Sequence, residues 1–483
     1  MKTRLVLPLA ALVLGSLLAC GGGQPDAGDG AVVTAWEALD TDLVAQAEAL
    51  REQALAGDGA YDFVRDLTTE VGPRFAGTEG DRRGVAWAAE RLRQMGLENV
   101  RTEPVMVPRW IRGHAVAEIV APYPQPMVAT ALGSSVGTPE GGLEAEVVRV
   151  ESLEELETLG PSDLDGRIVF VDQRMERRNV GSGYGETVGI RTRGASEAAR
   201  FGAAGVIIRS VGTSTNRLAH TGTMRYVDGI PKIPAAAISN PDADLLADQV
   251  ERSEHPVVVR LDLGSYTLED VESANVIGEV VGRERPEEVV VLAAHLDSWD
   301  LGTGAVDDGA GCAVVSEVAR MLGELPEAPR RTIRVLLTAN EEFGLSGALA
   351  YGERYRYDME THVAGLESDL GSDNILFFRS RVAEEALPAV RDMARLLEPL
   401  GIEYLNNEAW GGADLRPLRE HRVPVFDLPQ DATRYFDLHH TANDTFDKID
   451  PKQLAQNVAA YAVVALVVAD YEPGWGRAPE SER

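Results

Sequence analysis

Glu288-Val-Val-Val-Leu-Ala-Ala-His-Leu-Asp-Ser-Trp-Asp-Leu-Gly-Thr-Gly-Ala-Val-Asp-Asp-Gly-Ala-Gly-Cys312 decides how this chain is read. Its opening run, Val289 to Leu292, is apolar and β-branched, the pattern of a strand buried on both faces. The strand ends at His295, and in an open α/β sheet catalytic groups gather at the carboxyl ends of strands. Asp297 follows two residues later, where a carboxylate can hold the second ring nitrogen of a metal-bound histidine. Gly302, Gly304, Gly309 and Gly311 let the backbone turn and bring Asp307 back toward His295. A Gly-rich loop with a helix N-cap at Asp307 or Asp308 explains the same letters, so the stretch alone leaves both readings open.

Companion motifs favour the metal. Arg334-Val-Leu-Leu-Thr338 is a second buried strand, and Ala339-Asn-Glu-Glu-Phe-Gly-Leu-Ser-Gly347 follows it with the adjacent acids Glu341 and Glu342. Neighbouring carboxylates take different headings, one free to bind metal and one free to take a proton; the bland alternative is a helix N-terminus attracting negative charge. Val363-Ala-Gly-Leu-Glu-Ser-Asp369 is again an apolar run ending in acid, and Leu438-His-His-Thr-Ala-Asn-Asp-Thr445 lies in a loop before the last helix. Histidine nitrogen and carboxylate oxygen suit Zn²⁺, and a donor set without cysteine is usual for a catalytic site.

In this order and with these flanks, His295, Asp307, Glu341-Glu342, Asp369 and His440 resemble the co-catalytic zinc peptidases of the M28 family. His295-Leu-Asp-Ser-Trp-Asp-Leu-Gly-Thr-Gly-Ala305, Asp450-Pro-Lys-Gln453 and Val105-Met-Val-Pro-Arg-Trp-Ile-Arg-Gly113 extend the resemblance over most of the chain, toward the carboxypeptidase branch of that family. The resemblance implies two Zn²⁺ per chain, with His295 and Asp369 on one ion, Glu342 and His440 on the other, and Asp307 bridging. Two ions ~3.5–4 Å apart share a hydroxide and polarise a scissile carbonyl. Glu341 is then the general base and Asp297 the partner behind His295. His439 is either an oxyanion contact or a half-exposed spacer. Asp414, in Gly411-Gly-Ala-Asp414, falls on a substrate-facing loop, and Trp299 and Asp300 either line the cleft or pack their loop.

The implied activity is hydrolysis of dipeptides or short peptides with a free terminus. Aminopeptidase action on longer peptides stays open. So do a glutaminyl-cyclase-like acyltransferase working on one zinc and a non-catalytic binding protein on the same scaffold, although the intact bridging Asp307 and the Glu-Glu pair speak against both. A homodimer is a further implication of the resemblance.

The chain begins with Lys2 and Arg4 before an apolar run, Leu5 to Leu18, too short for a membrane span and typical of an export signal. Leu17-Leu-Ala-Cys20 is similar to a bacterial lipobox, so Cys20 is the expected lipidation site and the sole membrane link; the alternative is an ordinary signal peptide cleaved nearby, which leaves the chain secreted. Export to the periplasm or exterior follows, with residues 1–20 as signal and 21–31 as a flexible tether. With Cys20 lipidated, Cys312 has no partner, and it reads as a small core residue at the start of an apolar helix.

A length of 483 residues with 44% apolar content allows two or three domains. The net charge of −31 excludes nucleic acid and anionic lipid as electrostatic partners. The fold class is α/β: a mostly parallel, mixed sheet sandwiched by helices, of zinc exopeptidase type, in two parts at residues 32–121 and 265–472, with a tail at 473–483. Expected strands are Ala274 to Val281, Val289 to Ala294, Thr332 to Thr338, Val363 to Glu367 and Val423 to Leu428. Helical patterns occupy Trp36 to Ala56 and Asp81 to Met95, and a last helix starts at Pro451. Residues 122–264 change character, with short β runs at 142–150, 166–172, 202–209 and 233–239. This is similar to a β-rich protease-associated domain inserted into the catalytic one. Within it, His220 and His255 are expected at the surface.

Overall fold

The computed structural model describes residues 36–480. The export signal, Cys20 and the tether lie outside the described residues, and the described residues from Glu37 onward group as one compact unit. Two eight-stranded sheets organise it.

The central sheet runs, edge to edge, Glu98–Ile111, Tyr266–Val280, Arg331–Thr338, Arg285–His295, His362–Glu367, Val425–Asp427, Phe377–Arg381 and Glu403–Asn406. The four middle strands are parallel, while Glu98–Ile111 and Tyr266–Val280 pair antiparallel at one side. This is a mixed α/β sheet with helices on its faces, and the apolar runs Val289 to Ala294 and Ile333, Val335 to Leu337 are buried throughout. The register sets His295 beside Thr338 and Ala293 beside Glu367, so adjacent strands deliver their polar ends to one rim. Helix Ala310–Gly323 packs behind that rim; Cys312 is buried in its first turn and its Sγ donates to the His295 carbonyl at 3.1 Å.

Pro451 opens the last helix, Pro451–Asp470, and the Asp450 carboxylate caps it by accepting the N–H groups of Lys452 and Gln453 at 2.8 and 3.2 Å. The helix is apolar all round and 89% buried, and it packs against the helices Thr41–Leu55 and Ala310–Gly323. The expected helices at the start of the chain appear as Thr41–Leu55 and Glu79–Gln94, with a further one at Gly59–Glu70 that the pattern had left as connection. The edge strand Glu98–Ile111 pairs with Tyr266–Val280 as far as Ile111.

The second sheet takes all its strands from residues 115–263, starting a few residues ahead of the change in sequence character at 122. Its order is Gln125–Met127, Ala115–Ala121, Val258–Leu263, Leu143–Val150, Ile168–Val171, Gly205–Arg209, Ala235–Ile238 and Ala129–Ala131. Helices Gly189–Arg200 and Asn240–Arg252 accompany it, and its middle strands are parallel. The chain leaves and re-enters the central sheet through neighbours: Ile111 pairs with Tyr266, and Ala115 pairs with Leu263.

Candidate metal centre

His295, Asp307, Glu342, Asp369 and His440 converge. The strand Arg285–His295 ends with the imidazole Nε2 at 3.2 Å from Asp307 Oδ1 and 3.5 Å from Asp369 Oδ1. Its Nδ1 faces the main-chain oxygen of Asp297 at 3.0 Å, which fixes the ring so that Nε2 points at the acids. The Asp297 carboxylate stands farther off, at 3.8 Å. It instead accepts the Glu341 N–H at 2.9 Å, so Asp297 ties the two strand-end loops together.

On the other side His440, held at φ 61°, places Nε2 at 2.9 Å from Glu342 Oε2 and 3.4 Å from Asp307 Oδ2. Its Nδ1 faces the Thr221 carbonyl at 3.2 Å. Asp307 therefore offers one oxygen to each imidazole, from between them.

The main chain around Asp307 is held by Asp444, Asp308 and Arg74, of which the sequence marks only Asp308, as a possible helix N-cap. Asp444 accepts the N–H groups of Val306 at 2.7 Å and Asp307 at 3.3 Å. Asp308, joined to Asp307 by a cis peptide, is fully buried and accepts the N–H groups of Gly311 at 3.0 Å and His295 at 3.2 Å. Arg74, also fully buried, donates to the carbonyls of Leu296, Gly72, Thr303 and Gly304. It clamps the Gly-rich loop to the segment Val71 to Gly80.

Remaining candidates separate. Glu341 is half-buried and lines the cleft without a metal-facing partner of its own. His439 is buried, so it is not a half-exposed spacer; its ring stacks on His440 with centroids 3.5 Å apart, and its Nδ1 has no partner. Asp414 does not face the cleft: it turns inward to accept the Thr338 hydroxyl, and burial pushes its carboxyl up to about 7. Trp299 packs against Phe75, and Asp300 accepts the Arg112 Nε–H at 2.9 and 3.0 Å, so both secure their loop. His255 is exposed, but His220 is 1% exposed, with Nδ1 at 2.8 Å from the His439 carbonyl and burial drawing its pKa down to about 4. The loop before the last helix covers it.

The electrostatics define what the site can hold. Burial pushes Glu341 and Glu342 well above the ordinary carboxylate range, with the charges of Asp369 and Asp307 respectively adding to the effect. Burial opposes the charged form of His295 too, yet the Asp369 charge and the Asp307 hydrogen bond outweigh it and raise its pKa well above normal. His440 goes the other way, down to about 3 because it is buried. A neutral His440 presents a lone pair at Nε2, as a metal ligand must. Among the described residues, Asp307 Oδ2 and Glu342 Oε1 have no hydrogen-bond partner although both are buried. Buried acids in such excess, with oxygen atoms left unpaired, cost several kcal/mol each unless a cation meets them. The donor set of imidazole nitrogen and carboxylate oxygen fits zinc.

A cleft of about 890 Å³ opens on this cluster. Asp307, Glu341, Glu342, Asp369, His439 and His440 line its floor, while Tyr184, Arg191, Thr223 and Arg225 approach from residues of the second sheet's region.

Comparison with known proteins follows the same residues. The profile of Peptidase family M28 matches residues 275–465. Carboxypeptidase Q of Mus musculus is 36% identical over 415 residues, covering 86% of this chain and 86% of its own. Carboxypeptidase Q of Homo sapiens is 36% identical over 417 residues, again with 86% of each chain covered. The crystal structure of the Peptidase M28 precursor from Shewanella amazonensis SB2B superposes with a TM-score of 0.90 at 47% identity, covering 92% of this chain and 100% of that one. BSAP, a zinc aminopeptidase from Bacillus subtilis, shares the fold, with a TM-score of 0.62 at 20% identity over 84% of this chain and 93% of its own.

Proposed function

Because this chain belongs to peptidase family M28, and is a metallopeptidase, we propose that it is a co-catalytic dizinc exopeptidase acting on dipeptides or short peptides with a free terminus. The observation that carries the reading is Asp307, whose two oxygens face His295 at 3.2 Å and His440 at 3.4 Å. A carboxylate so placed fits a bridge between two ions. His295 and Asp369 would hold one zinc, Glu342 and His440 the other. When bound, the pair supplies Lewis acidity at the scissile carbonyl and lowers the pKa of a water.

The chain's own residues do the rest. Glu341 adjoins a ligand but stays free to accept a proton from the attacking water and to pass it to the leaving amine. Its main chain is fixed by Asp297, which keeps the carboxylate in reach of the cleft floor. The buried His439, with an unpartnered Nδ1 beside His440, is available to stabilise the developing oxyanion. The second sheet, read as a protease-associated insertion, overhangs the cleft and limits substrate length. Export with a lipid at Cys20, and a homodimer, complete the reading.

Glu341→Gln tests it. The variant is expected to keep two zinc ions per chain and lose at least 100-fold in kcat, within the range for general-base removal. Retained hydrolysis with both ions bound would remove Glu341 from its role. One zinc per chain in the wild type would favour the acyltransferase alternative, and zinc binding with no turnover of any peptide would favour the binding protein.

A further inference from the structure

We propose that residues 220–223, a loop of the second sheet's region, position His440 and Glu342, so that this side of the metal centre is completed by the insertion while the side of His295 and Asp369 is not. The inference rests on the dizinc reading and gives the insertion a task besides limiting substrate length.

Thr221 pairs with His440 in both directions. Its N–H donates to the His440 carbonyl at 3.0 Å, and its own carbonyl lies 3.2 Å from His440 Nδ1. An imidazole that turns its Nε2 lone pair to a metal carries its proton on Nδ1, and a carbonyl placed there accepts it and fixes the heading of the ring. Arg191 Nη1 stands 3.4 Å from the same nitrogen, but a guanidinium only donates and cannot take that proton. His440 also sits at φ 61°, a conformation that persists in a residue other than glycine when its surroundings hold it. The Thr221 N–H is one such hold, and His220 Nδ1, 2.8 Å from the His439 carbonyl, is the next.

Thr223 does for Glu342 what Thr221 does for His440. Its hydroxyl donates to the Glu342 carbonyl, and Asp297, in the loop after the strand Arg285–His295, accepts the Glu341 N–H at 2.9 Å. The Glu-Glu pair is therefore pinned once from each sheet's region.

The loop is held in its turn. Gly133 and residues 222–224 exchange two main-chain bonds, Gly133 N–H to the Gly222 carbonyl at 2.9 Å and Met224 N–H to the Gly133 carbonyl at 3.0 Å. The Thr221 hydroxyl donates to the Ala131 carbonyl at 3.0 Å and accepts from Arg112 Nη1 at 2.9 Å. Between the two threonines Gly222 takes φ 139°, and a Cβ there would stand 2.3 Å from Arg191 Nη1, so glycine suits this approach.

The other side of the floor is supported from within. His295 Nδ1 faces the Asp297 carbonyl at 3.0 Å, and among the described residues no hydrogen bond from residues 115–263 reaches His295 or Asp369. That asymmetry is the signature to look for.

The test measures zinc affinity by chelator competition in two backgrounds. Asp369→Ala leaves the side of Glu342 and His440, and His440→Ala leaves the side of His295 and Asp369; each is compared with and without Thr223→Val. Thr223→Val is expected to weaken zinc roughly 10–100-fold in the Asp369→Ala background and by no more than about 2-fold in the His440→Ala background. Thr223→Ser keeps the hydroxyl and should restore the affinity. With Co²⁺ in place of zinc, the visible absorption bands should shift with Thr223→Val in the first background alone. Equal loss in both backgrounds, or loss in neither, overturns the proposal and leaves the dizinc reading standing. If the Thr223→Val chain does not fold, Thr221→Val, which strips the hydroxyl that hooks the loop to Ala131 and Arg112, is put through the same comparison with the same criterion. Should the wild type bind one zinc per chain, the dizinc reading fails by itself and the proposal is judged on that ion. Its loss in His440→Ala together with weakening by Thr223→Val supports the positioning role, and its retention in His440→Ala overturns it.

Discussion

Asp444 receives the main-chain N–H of Asp307 at 3.3 Å, so an acid from the loop before the last helix sets the heading of an acid in the segment that follows the strand Arg285–His295. The same carboxylate holds Val306, and burial pushes it up to about 7. Such outer partners of metal ligands matter nearly as much as the ligands. Asp444→Ala is expected to weaken zinc binding by roughly 10–100-fold and kcat/KM in step. Competition with a chromogenic chelator measures it; unchanged affinity would show that Asp307 is oriented without help.

Metal should stabilise the whole molecule. The unpaired oxygens of Asp307 and Glu342 belong to the folded state alone, so zinc binds it in preference to the unfolded chain. At free zinc 100-fold above Kd each site contributes about 2.7 kcal/mol. Calorimetric scans with and without a chelator should separate clearly, and zinc should restore both melting temperature and hydrolysis after chelation.

Arg74 is a stability hinge rather than a participant in chemistry. Its guanidinium satisfies the carbonyls of Gly72, Leu296, Thr303 and Gly304, and its own N–H donates to Ser298 Oγ at 3.0 Å. Arg74→Ala leaves those acceptors buried and unpaired, with an expected loss of about 3 kcal/mol or more in urea unfolding. Zinc affinity should fall as well, since the clamped loop carries Asp307.

Asp81 makes stability depend on pH. Burial lifts its carboxyl from the usual range to about 6, although Gly77 N–H and the Ser273 hydroxyl each donate to it at 2.8 Å. Its folded pKa lies above that of the unfolded chain, so its stabilising share is complete below about pH 4 and is lost as pH rises through about 6. Asp81→Asn removes the charge and keeps an acceptor. The variant should gain about 1–2 kcal/mol over wild type at pH 8 and nothing at pH 4, read from paired unfolding curves.

Much of this was legible in the letters because buried parallel strands write themselves as continuous apolar runs. Val289 to Leu292, Arg334 to Thr338 and Val363 to Glu367 are each followed within four residues by a candidate acid or histidine, so strand, rim and candidate ligand appear together in one line of text. The last two strands at one side of the central sheet, Phe377–Arg381 and Glu403–Asn406, escaped notice: they are short, partly exposed and carry arginine or asparagine where a buried strand carries valine. Asp444, Arg74 and Arg191 escaped for a different reason. Each acts across more than a hundred residues of chain on main-chain atoms or on a cleft wall, and such partnerships have no period or spacing. His220 misled because a single histidine among polar neighbours looks solvated until the loop bearing His439 is laid over it.

The way the second sheet is attached has a bearing on descent. Because Ile111 pairs with Tyr266 and Ala115 with Leu263, the chain departs and returns through hydrogen-bonded neighbours, and a single recombination at that doorway would exchange the roof of the cleft in one step. The floor of the cleft, carried by the segments that follow the strands of the other sheet and by the loop before the last helix, would be inherited intact. The floor and the wall of the cleft can then diverge at separate rates, since the acids and histidines travel with one sheet and Tyr184, Arg191, Thr223 and Arg225 with the other.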